Sequence, residues 1–114
     1  MDQDYSEKRR YPRKNTAITS LCIKRDLEQK KIEMDIVPIR NIAQEGVFLQ
    51  TDVPYIKGTL VEVQFIVPDN PRPMAIKGKV MWFRNIGNRP GMGIQFVSIS
   101  DRDKDELIRY LEKL

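Results

Sequence analysis

Three arginines packed into five residues, Arg9, Arg10 and Arg13 of the run Arg-Arg-Tyr-Pro-Arg, are the side chains of this chain best suited to hold a ligand. A guanidinium group is permanently charged and presents its N–H donors as a rigid fork, which fits phosphate oxygens or the acceptor edge of guanine two bonds at a time. Pro12 lacks an amide donor, fixes its own φ and pushes Tyr11 towards an extended backbone, so this segment is not expected to be helical. In extended form Arg9 and Arg13 stand roughly 13 Å apart on one side of the chain, a separation that suits gripping two ends of one anion.

A second, weaker constellation is Asn41-Ile42-Ala43-Gln44-Glu45-Gly46. Asparagine at the end of a strand can hold a turn through its own side chain, and Gly46 permits a positive φ or a close approach of a ligand. Little else offers chemistry. The chain has no histidine and one cysteine, Cys22, which removes disulfides, most zinc sites and the usual general base. Gly91-Met92-Gly93 lacks the third glycine and the Lys-Ser or Lys-Thr of a phosphate loop and reads as a turn with close backbone packing. The carboxylates are scattered, without a calcium loop or an acid/base pair. The expectation is a binding protein, without catalysis, metal or cofactor.

Charge supports the same view. The net charge is +4, from 20 basic and 16 acidic residues. Residues 7–14 alone hold five basic residues and one acidic, and the rest of the chain is balanced. One concentrated patch on a neutral body suits a compact anion as well as it suits a long polyanion. No apolar run approaches the roughly 18 residues of a membrane span, and the charged N-terminus has no signal-peptide pattern, so a cytoplasmic protein without membrane insertion is expected.

The elements that must position these groups read as a small all-β domain. Residues 16–24 form a first strand, 25–31 a polar hairpin loop and 32–42 a second strand that Pro38 bends or marks as an edge. Strands follow at 46–49, 60–67, 74–84 and 91–98, with turns at 41–46, 68–71 and 87–90. Trp82 and Phe83 are neighbours in one strand, so alternation sends at least one to the core. From residue 101 the period changes: Leu107, Tyr110, Leu111 and Leu114 fall on one face of a helix, with Ser100 as its cap and aspartates in its first turn. Six strands and a terminal helix imply an antiparallel barrel, because closure removes exposed edges.

Arg9-x-x-x-Arg13, followed at the right distance by Asn41-x-x-x-x-Gly46 and later by Gly91-Met92-Gly93-Ile94-Gln95-Phe96, resembles the PilZ domain family of bacterial cyclic di-GMP receptors. The resemblance runs from about residue 7 to the end, and Ala43 stands where the family usually has serine. It implies a PilZ-like split barrel, with a leader at 1–8 and the domain at 9–114: an arginine arm at 9–14, the barrel at 16–98 and the helix at 101–113. It makes Arg9 and Arg13 the groups that bind guanine and phosphate and Arg10 a supporting phosphate contact. It makes Asn41 and Gly46 contacts to a guanine from the barrel surface, with Ala43 between them in the ligand-binding turn, and it places the ligand outside the barrel with the arm closing over it. Implied further are a monomer or weak dimer and a protein partner in motility, biofilm or polysaccharide control. Two alternatives are a PilZ-like interaction module that binds no nucleotide, motivated by Ala43, and a nucleic-acid-binding barrel using the basic octet with Arg10-Tyr11 and Trp82-Phe83-Arg84.

Overall fold

The computed structural model describes residues 13–26 and 28–114. Seven strands and one helix occur in chain order: β1 (Lys14–Asn15), β2 (Thr19–Asp26), β3 (Lys31–Ile42), β4 (Gly46–Gln50), β5 (Leu60–Phe65), β6 (Met74–Ile86), β7 (Arg89–Ser98) and α1 (Asp101–Lys113). The six longer strands pair antiparallel in the order β3-β2-β5-β6-β7-β4, and β4 returns to β3, so the expected six-stranded barrel closes. The two residues of β1 continue the β2 side of β3, through Lys14↔Ile42, Asn15↔Asn41 and the bonds Thr16 N–H to Arg40 O and Ile39 N–H to Ile18 O.

Alternation decides what fills the barrel. Cys22, Val37, Ile39, Val47, Leu49, Val61, Val63, Phe65, Met74, Ile76, Val80, Met92 and Ile94 turn inward and are buried together. Helix α1 adds Leu107, Tyr110 and Leu111 to that cluster, whereas Leu114, expected on the same face, is exposed at the helix end. Ser100 caps the helix by accepting from Asp103 N–H at 3.1 Å. The Asp103 carboxylate does not return to the cap; it accepts from Arg72 at 2.7 Å, which also reaches Glu106 at 3.0 Å, and this pins the helix N-terminus beside the start of β6.

Element boundaries differ where hairpins are tighter than the sequence suggested. Strands β6 and β7 are joined by Gly87 and Asn88 alone, at φ 57° and 64°, the left-handed pair of a two-residue hairpin, so Pro90 belongs to β7. Gly91 and Gly93 therefore lie inside a strand and not in a turn. The packing part of that expectation holds: both glycines meet side chains that a Cβ would displace.

Two β-bulges matter for function. Between Ile39↔Leu49 and Asn41↔Phe48 the extra residue is Arg40, and between Val80↔Ile94 and Trp82↔Gly93 it is Met81. An extra residue reverses the inside-outside alternation from that point on. Ile39 and Val80 consequently face the core, while Asn41 and Trp82 are turned to the outside of the barrel.

Candidate functional site

The two bulges create one continuous cross-strand row on the outer face: Asn15↔Asn41, Asn41↔Phe48, Phe48↔Gly93 and Gly93↔Trp82, spanning β1, β3, β4, β7 and β6. Directly paired residues share a face, so Asn41, Phe48 and Trp82 stand in line. Gly93 leaves the gap that lets the two rings meet. Phe48 and Trp82 stack with centroids 5.4 Å apart and planes 18° from parallel. Phe48 is wholly buried yet takes no part in the interior cluster, because it is covered from outside. Beneath the rings, Phe48 rests on Gly91 and Trp82 on Gly93, so the two glycines form the recessed floor of an aromatic shelf.

Two guanidinium groups flank the shelf. The Arg84 Cζ lies 4.3 Å from the Trp82 ring centroid, and the Arg13 Cζ lies 5.7 Å from it. Arg84 reaches this face because it pairs with Gly91, in register with the outer row. Arg13 reaches it because β1, one residue later, is anchored to the end of β3. A cation over the face of an indole is held by the ring quadrupole, so the two guanidinium groups bring positive charge to the edge of the shelf. Beside Phe48, on β3 and further along β4, the buried Oδ1 of Asn41 and Oε1 of Gln50 have no hydrogen-bond partner among the described residues. Unsatisfied buried acceptors are costly, and ligand N–H groups would satisfy them. The arrangement offers a flat apolar surface for a planar ring, positive charge for phosphate and amide acceptors for ring N–H donors.

Of the residues expected from sequence, Arg13 and Asn41 are brought to this face. Arg9 and Arg10 lie outside the described residues, as do the leader and most of the arm. Ala43 is fully buried, and its N–H donates to Gly46 O at 2.9 Å, closing the turn between β3 and β4. Gly46 does not have a positive φ; its place is set by β7, where a Cβ would collide with the carbonyl oxygen of Ile94. Its requirement is therefore strand packing. Sequence reasoning missed Phe48, Arg84 and the outward role of Trp82. The run Trp82-Phe83-Arg84 was visible, but simple alternation could not reveal the bulge at Met81; Trp82 packs on the outer shelf and Phe83 is exposed, so neither joins the core.

Among the described residues no cluster of His, Cys, Asp or Glu could hold a metal ion, and no helix is long and apolar enough to cross a membrane.

Solved structures share this fold at low sequence identity. The Bacillus subtilis inhibitor of motility MotI/DgrA superposes with a TM-score of 0.76 at 16% identity, over 93% of this chain and 50% of that one. The K. pneumonia MrkH–c-di-GMP complex gives 0.72 at 18% identity, over 92% and 51%. The PilZ domain of Escherichia coli YcgR with c-di-GMP gives 0.68 at 12% identity, over 94% and 91%. The chain thus spans about half the length of MotI/DgrA and of MrkH, and nearly all of the isolated YcgR domain. No curated protein sequence matches it. Residues 7–113 match the PilZ domain family over nearly the whole chain, and with the closed six-stranded barrel and its terminal helix this places the protein in that family of non-catalytic binding modules.

Proposed function

We propose that this domain binds cyclic di-GMP on the outer face of the barrel, across the Phe48–Trp82 shelf. The observation that carries the reading is the pairing of Trp82 with two guanidinium groups, Arg13 and Arg84, in the same row as Asn41. A purine attached to a phosphodiester needs an aromatic face, nearby cations and acceptors for its N–H groups, and those three are adjacent here. Support also comes from the fold shared with the YcgR PilZ domain and MrkH, both solved with c-di-GMP. Arg9 and Arg13 are assigned to guanine and phosphate, Arg10 to a supporting phosphate contact, and Asn41 to a guanine edge. Ala43 and Gly46 shape the turn under the ligand, and Ala43 removes one neutral hydroxyl contact, worth roughly 0.5–1.5 kcal/mol, from the set usual in the family.

Binding transmits a signal in this reading by fixing the arginine arm, residues 9–14, over the ligand. The root of the arm is tied to the C-terminal helix, since Thr16 Oγ1 and Tyr110 Oη share a hydrogen bond of 2.6 Å. A change in the arm is therefore felt at α1, where a cytoplasmic partner could read it. Isothermal titration with cyclic di-GMP tests the proposal. Saturable heat that disappears in the Arg9→Ala, Arg13→Ala double variant supports it, and absence of heat at high micromolar nucleotide overturns it.

A further inference from the structure

Strand β3 uses its two edges unequally. Along one edge it pairs with β2 and β1 over its whole length; along the other it meets β4 only from Ile39 onward, through Ile39↔Leu49, Asn41↔Phe48 and Ile42↔Val47. Among the described residues, positions 31–38 have no strand on that second side. In an antiparallel ladder every second residue turns both its N–H and its C=O to the same side, so this stretch offers an unfilled row of donors and acceptors.

The side chains along this edge fall into two rows of opposite chemistry. Ile32, Met34 and Ile36 point outward and are 58%, 61% and 78% exposed. They continue onto an apolar groove of about 670 Å³ lined by Leu21, Ile36, Phe65, Ile66 and Pro68 among others. Glu33 and Asp35 point the other way, into a groove of about 490 Å³ between β3 and the segment after β4, whose lining also includes Asp52 and Tyr55. Asp35 accepts from Tyr55 Oη at 2.6 Å. Lys24 lies over the Tyr55 ring at 5.4 Å, while the lining of the groove itself holds three carboxylates, Glu33, Asp35 and Asp52, and, among the described residues, no basic one.

We propose that the free edge of β3 is a docking site for an extended segment of a partner protein in which apolar and basic residues alternate. Such a segment would complete the ladder, lay its apolar residues on Ile32, Met34 and Ile36, and place its basic residues among Glu33, Asp35 and Asp52. A second copy of this chain is a poor occupant in registers centred on the middle of this stretch. Antiparallel self-pairing about Glu33, Met34 or Asp35 sets a carboxylate directly opposite a carboxylate, Glu33 against Asp35 in the central case, and like charges so placed repel. The site lies at the opposite end of β3 from Asn41 and does not depend on nucleotide binding.

The test uses three fluorescein-labelled seven-residue peptides on the full chain, read by anisotropy. One alternates lysine and valine, one alternates glutamate and valine, and one is the lysine peptide with alternate amides N-methylated so that one edge cannot enter a ladder. The proposal expects saturable binding of the first, at least tenfold weaker binding of the other two, and at least a tenfold loss for the first with Ile36→Lys or Glu33→Lys/Asp52→Lys. All these positions are at least partly exposed, and an unchanged melting temperature confirms that the variants fold. Equal binding of all three peptides, or no binding of the first at millimolar concentration, overturns it. So does sedimentation showing a dimer of the unmodified chain that Met34→Lys dissociates, because the edge would then belong to a second copy.

Discussion

The indole of Trp82 lies against the backbone of Gly93, so close that a Cβ on residue 93 would collide with the ring. This contact carries the outer shelf, because Gly93 is the link in the cross-strand row between Phe48 and Trp82. Gly93→Ala should force the indole away from Phe48 and cost about 1–3 kcal/mol of stability, the range for overpacking a tight contact. Urea unfolding measures it, and a change within 0.5 kcal/mol, on the order expected at an indifferent surface site, would show that the ring moves freely.

Trp82 is the only tryptophan, so its emission reports on the shelf alone. Cyclic di-GMP should change that emission in a saturable way, with a Kd equal to the calorimetric one. Arg13→Ala should weaken binding by roughly 10- to 150-fold, the equivalent of one charged hydrogen-bonding contact of about 1.5–3 kcal/mol. An unaltered spectrum during a titration that releases heat would place the ligand elsewhere.

The anchor of α1 should be sensitive to acid. Burial opposes ionisation of Glu106, but hydrogen bonds from Asn70 and Arg72 and the charges of Arg72 and Arg102 outweigh it, and the carboxyl sits below its ordinary value of 4.5. A carboxylate whose folded value is depressed adds stability that is fully present above the unfolded value and is lost as pH falls through the folded one. Glu106→Gln should therefore lower the melting temperature at pH 7, and the difference should shrink as the pH falls below 4.5. Arg72→Met, which removes the one guanidinium shared by Asp103 and Glu106, should lower it further than Arg102→Met, whose guanidinium is mostly exposed.

Cys22 should be chemically silent in the folded protein. Burial first, and the charge of Asp35 second, push its thiol up to about 12, so only ~10⁻⁴ of it is thiolate at pH 8. Ellman's reagent should fail to modify the native chain and react fully in denaturant. Reaction of the native chain at the rate of a free thiol would mean that β2 opens readily.

Strand β5, with Leu60 and Glu62 alternating against Val61 and Val63, and helix α1, with its apolar face and Ser100 cap, were legible because one period ran through each. The barrel followed from their number and order. The site was legible only in part. Arg13 and Asn41 could be singled out because charge and turn chemistry are local properties. Phe48 could not, since Val47, Phe48 and Leu49 are all apolar and all buried, Val47 and Leu49 in the interior and Phe48 under the outer shelf. Trp82 and Arg84 were hidden by Met81, whose insertion changes which face they occupy without changing any residue that a pattern would read.

Arg40 and Met81 act together as two single-residue frameshifts in the inside-outside code of the barrel. Downstream of each, the surface assignment of every side chain in the strand is exchanged, so the outer row is written by chain length as much as by residue type. Deleting Met81 would remove the bulge and still leave Trp82 next to Val80 and opposite Gly93, on the outer face; a strand that kept Met81 in regular pairing would instead carry the indole to the interior register and dismantle the shelf.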